Sequence, residues 1–323
     1  MKILVTGASG FIGSAFIRRM CSEFDSNDLS IIGLIRNTAH KNMHRLDMDK
    51  CVNVHIAKGS VHLVNGDLLG DISGICEGVD WVVNFAAKTF VDHSIRDAEP
   101  FVNTNVLGTM KLLEDARRNK VKRFLQVSTD EVYGAILEGA YSENSPVNPT
   151  NPYSASKLGA DALAICYAHT YGLHTIVTRT ENNYGPFQHP QKVLPTFVKK
   201  ALAGHALPVY GDGLHSRQWL YVDDHVDGIL MLLHKDVPPG EVFHIAGSQE
   251  LTNLQLANAV HSFTERETGI QFIEDHNIRP GHDRRYALKC EKMAKLGWTP
   301  KINLSIGLPK AIKWYVDNQW WLK

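Results

Sequence analysis

Short apolar runs recur through the first half of the chain, separated by stretches in which apolar residues return every three or four positions. Lys2–Thr6 reads as a buried strand, and Ser30–Ile35, Val61–Val64, Trp81–Phe85, Phe124–Val127 and Thr175–Thr178 repeat the pattern. Helical periodicity fills the intervals, most clearly over Asn105–Arg118 and Tyr153–Tyr171. Strands that alternate with helices predict an α/β fold, a doubly wound parallel sheet covered on both faces. After Gly185-Pro186 the texture changes to short strands, Gly211-Asp212-Gly213 and Pro238-Pro239-Gly240 turns, and a basic run from Arg279 to Tyr286. A smaller C-terminal lobe over the carboxyl edge of the sheet is expected, the edge at which open α/β sheets bind ligands.

The first strand runs straight into Gly7-Ala8-Ser9-Gly10-Phe11-Ile12-Gly13. Glycines there let the chain turn tightly and approach a pyrophosphate, and the N-terminus of the following helix, with Phe11, Ile12, Ala15 and Phe16 on its apolar face, can hold the phosphates. The spacing is G-x-x-G-x-x-G rather than G-x-G-x-x-G, and a structural turn could carry such a triplet alone. Its place after strand one and before a helix points to a dinucleotide. The expected architecture is Rossmann-type, with a dinucleotide-binding domain at residues 1–180, to which later segments are free to return, and a mainly substrate-binding lobe at 181–323.

The choice of dinucleotide turns on the end of the second strand, where an Asp or Glu commonly binds the adenosine ribose 2′-hydroxyl. From Leu29 to Leu46 this chain has no acid; Arg36 ends the strand, and Asn37, His40, Lys41, His44 and Arg45 follow. A guanidinium attracts a 2′-phosphate and can stack on adenine. NADP is therefore favoured over NAD, with the basic run as a solvated loop being the plain alternative. A cofactor that is regenerated in each turnover is expected to stay tightly bound.

Composition narrows the class. With 34 Lys+Arg against 34 Asp+Glu, the chain of 323 residues has no basic field that would call for nucleic acid or an anionic membrane. Cys21, Cys51, Cys76, Cys166 and Cys290 make neither a CxxC nor an even framework, which suits a reducing cytoplasm. Met1 leads almost at once into a strand and no apolar run reaches membrane length, so neither leader nor membrane span is expected. His40 and His44 have i, i+4 spacing, but no acidic third ligand accompanies them and no metal site is expected.

The candidate chemistry lies in Ser128-Thr129-Asp130-Glu131-Val132-Tyr133-Gly134 and Tyr153-Ser154-Ala155-Ser156-Lys157. Tyr153 and Lys157 fall one helical turn apart on one face, where the ammonium is expected to stabilise a phenolate and let Tyr153 act as a base near neutrality. Thr129 can hydrogen-bond the same substrate oxygen. Hydride transfer needs only these three; Asp130 and Glu131 suggest a second proton-transfer task, unless they are an ordinary polar strand end.

These segments make the chain similar to the extended short-chain dehydrogenases/reductases, and more narrowly to the nucleotide-sugar 4,6-dehydratases. The resemblance runs nearly end to end, through Ala86-Ala87-x-Thr89-x-Val91-Asp92, Thr104-Asn105-Val106-x-Gly108-Thr109, Asn182-Asn183-Tyr184-Gly185-Pro186 and Arg279-Pro280-Gly281-His282-Asp283-Arg284-Arg285-Tyr286. It implies an enzyme, a lyase that converts a nucleoside-diphosphate hexose such as a dTDP- or UDP-sugar to the 4-keto-6-deoxy sugar. Tyr153, with Thr129 and Lys157, would take the 4-hydroxyl proton as hydride leaves C4. Glu131 would remove the C5 proton, Asp130 would protonate the departing 6-hydroxyl, and the hydride would return to C6. It also implies cofactor contacts from Gly7, Gly10, Phe11, Ile12, Gly13, Arg36, Asn37, Asp67, Leu68, Ala86, Ala87, Lys88, Thr104, Tyr153 and Lys157. Substrate contacts are implied from Lys88, Thr129, Glu181, Asn183, Lys192, Arg217, Asn253, Arg279 and His282, the arginines being suited to the diphosphate. Arg284 and Arg285 could equally be surface charges, and Tyr286 an aromatic plug.

The chain departs from the family pattern at Lys88 and Phe90, where an acid or amide and a His are usual, and at Thr180-Glu181, where a small Cys-Ser pair is usual. Lys88 and Glu181 could pair across the sugar pocket. Same-fold alternatives are a 4-epimerase or a dehydratase with an altered last step; epimerases usually lack both acids, and a non-catalytic relative would tend to lose Tyr153 or Lys157. Apolar stripes at Val106, Met110 and Leu113 and at Leu158, Ala162 and Ile165 predict a homodimer through paired helices.

Overall fold

The computed structural model describes residues 1–36, 40–274 and 283–323. Its strands are β1 (Lys2–Thr6), β2 (Ser30–Ile35), β3 (Val61–Asn65), β4 (Trp81–Asn84), β5 (Arg123–Val127), β6 (Thr175–Thr180), β7 (Asn182–Tyr184), β8 (Leu207–Tyr210), β9 (Ser216–Tyr221), β10 (Glu241–Ile245), β11 (Glu250–Thr252) and β12 (Ile270–Ile273). Among the described residues, seven of them form a parallel sheet in the order β10-β6-β5-β4-β1-β2-β3. Both faces of a parallel sheet are buried, and the composition follows: Ile3, Leu4, Val5, Val82, Val83, Phe124, Leu125, Ile176 and Val177 are all inaccessible to solvent. The helices Phe11–Glu23 and Val222–His234 cover one face, around Phe16, Ile17, Val226 and Ile229. Gly108–Arg118 and Pro152–Tyr171 cover the other, around Leu112, Leu113, Ala164 and Tyr167.

The chain passes between the two bodies more than once. Residues 222–245, within the stretch assigned mainly to the second lobe, give the first body a helix and its edge strand β10, paired with β6 from Glu241↔Ile176 to Ile245↔Thr180. The second body packs the helices Val193–Leu202, Asn253–Thr264 and Leu304–Asp317 around Tyr184, Trp219 and Tyr221.

Three elements set up the site. Asn151 caps the helix Pro152–Tyr171 through its own side chain and the Ser154 hydroxyl, Pro152 occupies the first turn, and Gly172 ends the helix at φ +68°. Tyr153 is thus fixed in the first turn. The helix expected over Asn105–Arg118 begins earlier and differently, as a π-helical turn over Val102–Leu107 that continues into Gly108–Arg118. The wider turn carries buried Asn105 into the interior. The third is a polar row across the sheet, in register from Thr6 on β1 through Asn84 on β4 to Gln126 on β5. Thr6 donates to Asn84 Oδ1 (2.5 Å) and Asn84 Nδ2 donates to Gln126 Oε1 (2.7 Å), so each buried amide is satisfied by its neighbour.

Candidate active site

The site gathers at the carboxyl ends of β1, β4, β5 and β6. Beyond β1, Gly7 takes φ +63°, and a Cβ there would lie 2.9 Å from the Ala86 backbone nitrogen. A Cβ on Gly13 would press into the Gly7 carbonyl oxygen. Gly7 and Gly13 therefore admit no side chain, and the helix that begins at Phe11 has neither a side-chain cap nor an acid in its first turn. Its leading N–H groups remain for an anion. These residues fit a dinucleotide pyrophosphate. Ala86 is tied down by its N–H to Thr6 Oγ1 (3.2 Å), while Lys88 is held through its backbone: Lys88 N–H donates to Asn105 Oδ1 (2.9 Å) and Asn105 Nδ2 donates to the Lys88 carbonyl (3.1 Å). Asn105 Nδ2 also donates to Ser156 Oγ (2.9 Å), joining this loop to the helix of Tyr153. Leu68 and Thr104 are both buried.

At the end of β5, Thr129 opens a single 3₁₀ turn, Asp130–Tyr133, by accepting from Glu131 N–H (3.3 Å). It also donates to Asp130 Oδ1 (3.1 Å) and hydrogen-bonds the Tyr153 side chain. Thr129, Asp130 and Tyr153 are all buried. Burial and the neighbouring Glu131 charge push Asp130 up to about 7, with Arg217 partly offsetting them. Burial also raises Glu131, opposed by Arg217 and Lys192. Arg217 opposes the rise at both carboxyls and Lys192 at Glu131 alone, a difference of environment that can separate acid from base.

Two expectations need correction. Lys157 by itself does not bring Tyr153 to neutrality: its ammonium donates to the Val127 carbonyl (2.6 Å), and burial followed by Glu131 drives the Tyr153 phenol upward. Burial also lowers Lys157 to about 8. Nor do Lys88 and Glu181 pair: the Glu181 carboxylate is buried, accepting from Gly247 N–H (3.0 Å) and Leu288 N–H (3.3 Å). An acid placed after β6 serves the backbone of two loops there, and burial keeps it well above the usual carboxylate range.

The C-terminal lobe closes the site from above. Arg217 donates to the backbone oxygens of Asp283 (2.8 Å) and Arg284 (3.2 Å) and stacks 4.4 Å over the Tyr286 ring. Asp283 receives hydrogen bonds from Thr150 and Tyr286. Arg284 is paired with Asp212, and Arg285 with Glu250. Lys192 lies 4.7 Å over the Phe90 ring and 3.4 Å from the Thr89 carbonyl. Asn183 directs its amide to Thr180, the Glu181 carbonyl and His225. Asn253 begins the helix that follows β11. Arg36 stands at the end of β2, half exposed, 3.8 Å from the Asp67 carboxylate. Asn37, Arg279 and His282 lie outside the described residues.

The motif reading gave no role to Asp161 or Arg179, which form a buried ion pair at 3.0 Å beneath these groups. Both left a signal: an acid one turn beyond Lys157 on the same helix face, and a charge inside a buried parallel strand.

Residues 4–310 match the family model described as GDP-mannose 4,6 dehydratase. A dTDP-glucose 4,6-dehydratase of Streptomyces niveus is 42% identical over 99% of this chain and 95% of its own length. The solved structure of DesIV, a dTDP-glucose 4,6-dehydratase of Streptomyces venezuelae with NAD and dTDP bound, superimposes with a TM-score of 0.90 at 39% identity, covering 100% of this chain and 99% of that one. A UDP-glucuronic acid 4-epimerase of Bacillus cereus, in complex with UDP-glucuronic acid and NAD, shares the fold at 27% identity and a TM-score of 0.89, over 98% of this chain and 99% of that one. The chain belongs to the nucleotide-sugar 4,6-dehydratase family of extended short-chain dehydrogenases/reductases. Its activity is that of a nucleotide-sugar 4,6-dehydratase, a lyase that works with a nicotinamide dinucleotide.

Proposed function

We propose that this dehydratase acts on a dTDP- or UDP-linked hexose, with Tyr153, Asp130 and Glu131 dividing the proton transfers. The observation that carries this division is the buried turn Asp130–Tyr133, which sets two carboxyls of different environment beside one tyrosine. Tyr153 takes the proton of the 4-hydroxyl, with Thr129 hydrogen-bonded to the same oxygen. A 4-ketone then acidifies the C5 proton, and Glu131 removes it. Asp130, still protonated near neutrality, gives its proton to the leaving 6-hydroxyl. A nicotinamide dinucleotide held at Gly7, Gly10 and Gly13 would supply the acceptor for the C4 hydride, its return to C6, and a positive charge near Tyr153, while Glu131 gives its proton back to C5. Lys157 supplies a second positive charge beneath the tyrosine. Arg217 and Lys192, whose charges act on Glu131, are suited to the substrate diphosphate, together with Arg279 and His282. Incubation with dTDP-glucose, UDP-glucose and UDP-N-acetylglucosamine separately, followed by mass spectrometry, tests the substrate: the true one loses one water, and loss from none of the three rejects this assignment.

NADP is the preferred dinucleotide in this reading, although the solved relatives hold NAD. Arg36 supports it, because it follows β2, where the adenosine ribose is expected, and its guanidinium is 3.8 Å from the Asp67 carboxylate. A homodimer is supported by Val102, Leu107 and Met110, large apolar side chains exposed along the helical stretch 102–118. Leu113, counted in the expected stripe, instead faces the core. A cytoplasmic setting accords with five free cysteines.

A further inference from the structure

Asp161 and Arg179 are both almost inaccessible, with side-chain exposures of 0% and 5%. A buried ion pair is a poor source of stability, since desolvation offsets most of the Coulomb gain and apolar residues of similar volume often do as well. Its placement suggests another use. Asp161 lies one turn beyond Lys157 on the helix that also carries Tyr153, and its Oδ2 accepts from Arg179 Nε (3.0 Å). Arg179 Nη1 donates to Tyr133 Oη (2.6 Å), the last residue of the turn that carries Asp130 and Glu131. A guanidinium can only donate, so the Tyr133 proton goes to His244 Nε2 (2.7 Å). The His244 proton is then on Nδ1, which donates to the Lys289 carbonyl (2.8 Å). Arg179 thus ties Asp161 to the turn that carries Asp130 and Glu131.

We propose that Asp161, held by Arg179, is a positioning residue: the counterion that keeps buried Lys157 charged and so sets the upper pH limit of oxidation at C4. Asp161 and Tyr153 share the helix of Lys157, and the turn after β5, with Asp130 and Glu131, and β6, with Arg179, pack against that helix. Of these, Asp161 is the one that opposes the loss of charge that burial imposes on Lys157. The inference rests on the role given to Lys157 under the proposed function, and two readouts separate them.

The first is NMR of isotope-labelled lysine ε-carbons in cofactor-free protein, with Lys157→Met identifying the resonance. Asp161→Asn should lower the Lys157 midpoint by about one to three pH units, the usual effect of a close opposite charge, and Asp161→Glu should restore it. The double variant Asp161→Asn/Arg179→Met removes the pair without stranding the guanidinium and should show a fall in the same direction. The second readout is formation of reduced nicotinamide, at about 340 nm, in holoenzyme given dTDP-6-deoxyglucose, which can be oxidised at C4 but has no 6-hydroxyl to lose. Its alkaline limb should move down with the NMR midpoint. An unmoved midpoint in folded variants overturns the proposal, as does failure of both variants to fold, which would assign the pair to the fold alone. A midpoint that falls while the limb stays put upholds the counterion and overturns the role of Lys157.

Discussion

Asp130 is expected to cost the resting protein stability in proportion to its usefulness. A carboxyl that titrates near 7 in the fold, against about 3.9 in the unfolded chain, binds its proton more tightly when folded. Its contribution is fully present below about pH 4 and is lost as pH rises to 7, after which the loss is constant. Three pH units correspond to about 4 kcal/mol, an upper figure because Glu131 shares the coupling. Asp130→Asn keeps the shape and removes the titration. Denaturant unfolding of the cofactor-free variant should therefore show a gain over wild type that is small at pH 4, grows to pH 7, and stays level to pH 8.5. Dehydration should meanwhile fall by roughly 10²–10⁴-fold, the worth of a general acid. A variant no more stable than wild type at pH 8, or a gain independent of pH, would refute the reasoning.

Glu131→Gln should still permit oxidation at C4 while stopping C5 deprotonation, so absorbance at about 340 nm should build up on addition of substrate; dehydration at the wild-type rate would remove Glu131 from its role. Mass spectrometry of cofactor released from denatured protein should show NADP, and NAD alone would end the Arg36 argument. Arg36→Asp should weaken NADP more than NAD, and equal losses in a binding titration count against a 2′-phosphate contact. Light scattering at micromolar concentration should report a dimer, and Leu107→Glu/Met110→Glu a monomer; a monomeric wild type rules the interface out.

Much of this arrangement was legible before any coordinates. The strands β1 to β6 announce themselves as apolar runs because a parallel sheet buries both faces, and the glycine turn and Tyr153/Lys157 follow from local spacing. Strand β10 did not: its pairing with β6 is set by a crossover through the second body, which no local pattern encodes. The direction of Glu181 was equally hidden, since an acid beside a pocket and an acid satisfying two loop N–H groups look alike in sequence. Lys157 shows a third limit. Helical spacing placed it one turn from Tyr153, but the nearest acceptor for its ammonium, the Val127 carbonyl, comes from a strand 30 residues away.

The grip of Asn105 on the loop after β4 bears on how such an enzyme can diversify. Asn105 holds residue 88 by its backbone N–H and carbonyl together, and nothing in that hold depends on which side chain the residue carries. The lysine here, where relatives of the dehydratase pattern place an acid or amide, is then an exchangeable fitting on a fixed mount. The family resemblance puts residue 88 beside the sugar, and on that expectation substitutions here would re-tune sugar recognition without re-engineering the frame, which makes residue 88 an early place to look when one ancestral pocket has given rise to several substrate preferences.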